Sequence, residues 1–395
     1  MVSRIDTDIC VIGAGSGGLT VAAGASQMGA PTVLIERGRM GGDCLNYGCV
    51  PSKSLLAAGH AARTMRTAGW FGVDGREPTV DFVGVHRHVH GVIDAIRPMD
   101  SEERFQGLGV RVIRESARFA GPDRIRAGDF EIKARRFVIA TGSTAAVPPI
   151  PGLADVPFFT NETIFDNRAL PAHLVIIGGG PIGVEMAQAH RRLGSRVTVL
   201  EKFEIMPKDD PELVGIVRQA LVEEGVDLRE GADIVRVEKD GSGVAVVLND
   251  DGREERIAGT GILVAAGRRA NVDDLDLPMA GIEHSPKGIT VDARLRTTNR
   301  RAYAIGDVAG GLQFTHVAGY HAGIVLRNAL FRLPAKVRTG AVPWVTFADP
   351  ELAQVGLTEA QARERPGDIR ILRWGFQEND RAQAERETRG MIKAV

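Results

Sequence analysis

The sequence predicts an α/β protein with two separate βαβ units, and three observations carry that expectation. A β-branched run leading into Gly-x-Gly-x-x-Gly occurs twice, at Gly13, Gly15, Gly18 and again at Gly178, Gly180, Gly183. Each copy continues into a helical stretch and a second apolar run that closes on an acid, Glu36 in the first and Glu201 in the second. Glycine is also in excess, at 48 of 395 residues, where the usual share is about 7%. The copies stand too far apart for a solenoid repeat and suit two Rossmann-like dinucleotide-binding domains.

The elements follow in order. Residues 8–13, DICVIG, form the first strand, Leu19 to Met28 a small-residue helix, and Thr32–Ile35 the second strand. The first glycine allows the tight strand-to-helix turn, the second lets backbone amides approach a pyrophosphate, and the third lets the helix pack on the strand. The phosphates would sit at the helix N-terminus, and the acid would accept the ribose hydroxyls. Leu55 to Met65 reads as helix, and Phe82, Val85, Val89, Ile93 and Ile96 form a second helical stripe. Strands then lead to Phe137–Ala140 and Thr141-Gly142-Ser143, and the Pro-rich Val147–Gly152 reads as a linker. The second copy runs from Leu174–Ile177 through a helix ending at Leu193 to Val197–Leu200. Apolar runs at Gly261–Ala266 and Ala302–Ile305 end in Gly267-Arg268 and Gly306-Asp307, and a new segment starts at Val342.

Composition narrows the function. Lys+Arg number 49 and Asp+Glu 50, so no basic excess marks nucleic-acid or anionic-membrane binding. No apolar stretch approaches ~18 residues, so no membrane span is expected. The polar N-terminus is unlike a signal peptide, and three cysteines fit a reducing cytoplasmic setting. His86 and His90 are i,i+4 neighbours and His88 points away. All three border the apolar stripe, which reads as a solvated helix edge, so no metal site is expected.

Cys44 and Cys49 stand in Gly41-Gly42-Asp43-Cys44-Leu45-Asn46-Tyr47-Gly48-Cys49-Val50-Pro51-Ser52-Lys53. Helical positions five apart have Cα atoms roughly 8.7 Å apart, beyond the about 4.4–6.8 Å of a disulfide. A bridge would need a distorted turn, and Gly48 has the freedom for one. Free thiols and a zinc site are the alternatives. Cys10, in the first strand, reads as a buried free thiol, and zinc lacks a second cysteine pair.

Tandem fingerprints with GG-x-C-x4-C-V-P-S-K after the first resemble the FAD-dependent pyridine nucleotide–disulfide oxidoreductases, the family of dihydrolipoamide dehydrogenase, glutathione reductase and mercuric reductase. The resemblance runs over essentially the whole chain. Ala140-Thr141-Gly142-Ser143 is similar to the family's ATG turn and Ala304–Asp307 to its second FAD motif. Gly267-Arg268-x-x-Asn271 is similar to GRxPN, with Ala270 in place of proline.

The resemblance implies a flavoprotein that passes electrons between NAD(P)H, FAD and a redox-active Cys44–Cys49 disulfide, to or from a dithiol or disulfide substrate. Cys44 would be the interchange thiol and Cys49 the thiol at the flavin, with Lys53 beside the flavin and Glu185 as its ion-pair partner. Gly13, Gly15, Gly18, Glu36, Thr141, Gly142, Asp307, Thr315, His316 and Val317 would contact FAD, and Gly178, Gly180, Gly183 and Glu201 the nicotinamide cofactor. Gly42, Asp43 and Gly267 would also be cofactor contacts. Glu201 favours NADH, with NADPH possible because Arg196 and Lys202 lie nearby.

Expected boundaries are 1–150 and 271–341 for the FAD domain, 151–270 for the NAD domain and 342–395 for the start of an incomplete α+β interface domain. The full-length family is homodimeric. The acid/base histidine that the family carries near its C-terminus has no match among the nine histidines here. The chain therefore reads as a fragment with its dimerisation in question. Asp43 and Tyr47 replace the Thr and Val/Ile usual in dihydrolipoamide dehydrogenase, which leaves the substrate open. A mercuric-ion reductase-like enzyme and a catalytically poor flavin-binding protein are the alternative readings.

Overall fold

A computed structural model describes residues 3–395, which form two compact units. The first comprises residues 3–51, 90–144 and 268–338, and the second residues 52–89, 145–267 and 339–395.

In the first unit, four parallel strands pair in the order Val110–Ile113, Thr32–Ile35, Ser3–Ile12, Phe130–Ile139, and Ala302–Ala304 adds to the last of them. Cys10, Val11, Phe137, Val138, Ile139 and Ala304 are fully buried, as expected where a parallel sheet is covered on both faces. The N-terminal half of Phe130–Ile139 also pairs antiparallel with Arg124–Ala127, which pairs in turn with Ala117–Gly121. One seven-stranded sheet thus holds both the parallel and the antiparallel strands. Helix Ser16–Gln27 packs on helix Thr315–Leu330, where a Cβ at Gly17 would lie 3.2 Å from Ala318 Cβ. Small residues on this helix set the close approach.

The second unit repeats the pattern with strands in the order Asp227–Glu230, Arg196–Glu201, His173–Ile177, Gly261–Val264, all parallel. Helix Pro181–Leu193 follows the fingerprint, and Asp210 caps helix Pro211–Glu223 by accepting from the Glu212 amide. Three antiparallel strands, Ile234–Asp240, Gly243–Asp250 and Arg253–Gly259, complete the unit's sheets together with two antiparallel strand pairs near the C-terminus.

Two segments cluster with the second unit by compactness. Residues 52–89 cluster with the second unit because Lys53 pairs with Glu185, Arg63 with Asp349, and Arg66 with the Arg192 carbonyl. Residues 342–395 also join it, through Lys393 on Asp210, Glu212 and Glu359 and through the Phe347 amide on Glu185. The stretch read as a linker is packed as well. Val237 N donates to Pro151 O at 2.8 Å, and Leu153 is buried. Among the described residues, no helix is long and apolar enough to cross a membrane.

His190 gives this unit an acid weakness. Its Nδ1 bonds the Met186 carbonyl at 2.9 Å, its Nε2 is buried without a partner, and burial lowers its pKa from 6.5 to about 4. The unfolded chain takes up this proton near pH 6.5 and the folded chain only near 4. Stability present above pH 6.5 is therefore lost as the pH falls through that window, by up to about 3 kcal/mol. Urea unfolding at pH 7 and 4.5 is expected to show a smaller loss for His190→Phe than for wild type. Equal losses would contradict this assignment.

Candidate active site

The two fingerprints are built alike. Gly13 and Gly178 have φ of 102° and 113°, and a Cβ at either would lie 2.4 Å from a carbonyl oxygen, of Ala140 or Ala265. A Cβ at Gly18 or Gly183 would lie 1.9 or 2.0 Å from the carbonyl of the first glycine. These four positions are glycine because the fold leaves no room. Gly15 and Gly180 are different. Their φ values of −81° and −71° suit any residue, and a Cβ would find only Gly42 Cα at 3.9 Å or nothing within 4 Å. Room kept clear at a helix N-terminus is what a closely approaching phosphate requires.

The closing acids are held by the fingerprints themselves. Glu36 accepts from the Ala14 and Gly38 amides, both at 2.6 Å. Glu201 accepts from Gly179 at 2.7 Å and from Phe203 at 3.0 Å. Each carboxylate keeps spare lone pairs for a ribose hydroxyl. A Cβ at Gly42 would come within 2.6 Å of Gly15 Cα, so the loop before the cysteines lies directly on the first fingerprint.

Cys44 lies in the short helix Gly42–Asn46, and Cys49 opens the helix Cys49–Thr67 after a break at Tyr47-Gly48. The expected bridge is open. Both are free thiols, Cys44 half-buried and Cys49 exposed, joined by a side-chain hydrogen bond, so the structure describes the dithiol form. That bond to Cys49 pushes the Cys44 thiol pKa up, and burial adds to the effect. Thr315 Oγ1 lies 3.2 Å from Cys49 Sγ, at the first turn of helix Thr315–Leu330. His316 stacks on Phe314, with ring centroids 5.4 Å apart. Val317 is buried and its amide is taken up by the Phe314 carbonyl at 3.1 Å. That bond lies within the helix's own first turn.

Thr141 and Asn271 exchange hydrogen bonds, Thr141 Oγ1 to Asn271 O at 2.8 Å and Asn271 Nδ2 to Thr141 O at 2.9 Å. Gly142, with φ of 68°, has nothing within 4 Å of its Cβ position, and the same holds for Gly267 at 118°. Asp307 Oδ2 accepts from Ser143 Oγ at 2.5 Å, and burial raises its pKa.

In the second unit, Lys53 Nζ lies 2.9 Å from Glu185 Oε2. Glu185, on helix Pro181–Leu193, is 5% exposed, and its other oxygen accepts from the Phe347 amide at 3.0 Å. The Lys53 ammonium also lies 4.2 Å from the Phe347 ring centroid. Nothing in the local sequence pointed to Phe347, nor to the Thr315 hydroxyl at Cys49. Both contacts join residues far apart in the chain.

Residues 7–322 match the family described as pyridine nucleotide-disulphide oxidoreductase, and residues 342–395 match that family's dimerisation domain. The chain is similar to a mercuric reductase from Bacillus cereus, at 36% identity over 392 residues that cover 99% of this chain and 62% of the relative. It is similar to a dihydrolipoyl dehydrogenase from Bacillus subtilis, at 34% identity, covering 99% of this chain and 84% of that one. Among solved structures it is similar to the HOCl-induced flavoprotein disulfide reductase RclA from Escherichia coli, described as a Cu(II) complex. The TM-score is 0.87 at 31% identity, covering 98% of this chain and 86% of that one.

Proposed function

The chain belongs to the pyridine nucleotide–disulphide oxidoreductases, and we propose that it uses NADH to reduce a disulfide substrate through the Cys44–Cys49 pair. The observation that carries this reading is the hydrogen-bonded dithiol beside the first fingerprint, with Thr315 and a helix N-terminus at Cys49. FAD and NAD(P)H are the cofactors of the family, and the clear space at Gly15 and Gly180 fits their pyrophosphates. Bound FAD supplies two-electron transfer between a nicotinamide hydride and a disulfide.

The chain's own residues do the rest. Amides at the start of helices Ser16–Gln27 and Pro181–Leu193 hold the phosphates, and Glu36 and Glu201 hold the riboses. Lys53, kept in place by Glu185 and Phe347, holds a positive charge one turn after Cys49. The Cys44 sulfur attacks a substrate sulfur, forming a mixed disulfide, and its proton leaves with the first departing thiol. The Cys49 thiolate then attacks Cys44 Sγ, closing the Cys44–Cys49 bridge and releasing the second sulfur as a thiolate. A homodimer accords with the dimerisation-domain match, and a cytoplasmic setting with a chain of only three cysteines.

The mercuric reductase relative supports a second reading, in which a soft metal ion replaces the disulfide as electron acceptor. NADH oxidation assayed separately with lipoamide, glutathione disulfide and Hg(II) distinguishes the two. Turnover with a disulfide is expected. Turnover with Hg(II) alone would transfer the assignment to the second reading.

Glu201 should also set cofactor choice. Its anchored carboxylate would accept an adenosine 2′-hydroxyl and repel a 2′-phosphate, so kcat/KM for NADH is expected to exceed that for NADPH by about tenfold or more, roughly 1.4 kcal/mol. Glu201→Gln should narrow the gap. An equal or higher kcat/KM with NADPH in the wild type would overturn this.

A further inference from the structure

Gly42 lies on the first fingerprint, and the residue after it is an acid. A Cβ at Gly42 would come within 2.6 Å of Gly15 Cα, at the helix N-terminus whose clear space suits a phosphate. Asp43 therefore brings a carboxylate next to the place where an anionic pyrophosphate would enter. Like charges so close oppose binding unless a cation balances them.

Arg268 supplies that cation. Its guanidinium lies 3.1 Å from Asp43 Oδ1 and 3.8 Å from Asp307 Oδ2, and its side chain is 12% exposed. Nε donates to Ser143 Oγ at 2.7 Å and Nη2 to Ser143 O at 2.8 Å, while Ser143 Oγ donates to Asp307 Oδ2 at 2.5 Å. The Asn271 amide donates to Gly142 O at 2.9 Å, which ties the Arg268 segment to the turn that carries Ser143. Asp43, Ser143 and Asp307 come from three distant segments and meet on this one side chain. Two carboxylates share a single guanidinium, so the cluster has no positive charge to spare.

We propose that Arg268 is a positioning residue for FAD, which balances and holds Asp43 so that a pyrophosphate can bind beside a carboxylate. It acts through Asp43. The proposal rests on FAD lying at the first fingerprint and adds a residue on which its retention depends. A side chain that merely braced the three segments would be missed whatever the charge at position 43. Charge balance has a different signature, because removing the carboxylate as well should undo the damage of removing the guanidinium.

The test is a double-mutant cycle read as FAD affinity, from the free-flavin fluorescence that appears when holoprotein purified with excess FAD is diluted. Arg268→Gln is expected to weaken FAD binding by about ten- to hundredfold, the worth of a charge-assisted contact. Asp43→Asn alone should tighten it by about threefold or more, since the guanidinium then has one carboxylate fewer to balance. The double variant should return to within about threefold of wild type. A double variant as weak as Arg268→Gln, or an Asp43→Asn protein that binds no tighter than wild type, would overturn the proposal. The Asp43→Asn arm keeps the test readable if Arg268→Gln does not fold. Wild-type protein that retains no FAD would refute the flavoprotein reading and the proposal together. Wild-type and Arg268→Gln proteins that hold FAD equally well would refute the proposal alone.

Discussion

Gly15→Ala is expected to give a folded protein that no longer retains FAD. The backbone at Gly15 tolerates a side chain, and only Gly42 Cα, 3.9 Å away, comes near the added methyl. The methyl would instead stand where phosphate oxygens meet the first amides of helix Ser16–Gln27. Losing two charge-assisted hydrogen bonds at about 1.5–3 kcal/mol each weakens binding on the order of 10²–10⁴-fold. Gly18→Ala is the control with the opposite outcome, because its Cβ would sit 1.9 Å from Gly13 O and the strand–helix junction must open. Flavin absorbance of the purified proteins and their circular-dichroism melts check both. Gly180→Ala should in turn raise KM for NADH with FAD still bound. Stoichiometric FAD in Gly15→Ala would show that the clear space serves something else.

Cys44→Ser is expected to reduce disulfide turnover by at least about 10³-fold, since a serine hydroxyl neither ionises near neutral pH nor exchanges with sulfur. NADH oxidation by an artificial dye should persist, because neither fingerprint contains Cys44. Steady-state rates with lipoamide and with the dye, measured on the same preparation, check the contrast. Parallel loss of both activities would mean that the substitution acts on folding or cofactor retention and not on the sulfur chemistry.

The fingerprints were legible because their requirements are local. A glycine that turns a strand into a helix, a glycine under the helix and an acid at the next strand end all fall within about twenty-five residues. The structure adds that Glu36 and Glu201 are each held by an amide of their own fingerprint. Contacts set by chain return were not legible. Phe347 reaches Lys53 and Glu185, and Arg268 reaches Asp43, only after the intervening strands have folded. The Pro-rich Val147–Gly152 misled for a related reason. Proline and glycine mark turns, but they do not reveal that Pro151 pairs with Val237 and that Leu153 next to it is buried. The cysteine spacing raised the possibility of a bridge without fixing its redox state, and the structure describes the dithiol.

The most direct test of the central claim is a count of new thiols after one equivalent of NADH is added anaerobically to oxidised, FAD-loaded protein. Rapid alkylation and peptide mapping should find label at Cys44 and Cys49, none at the buried Cys10, and one NAD⁺ formed per labelled pair. NADH consumed with the flavin reduced and both cysteines unlabelled would contradict the account.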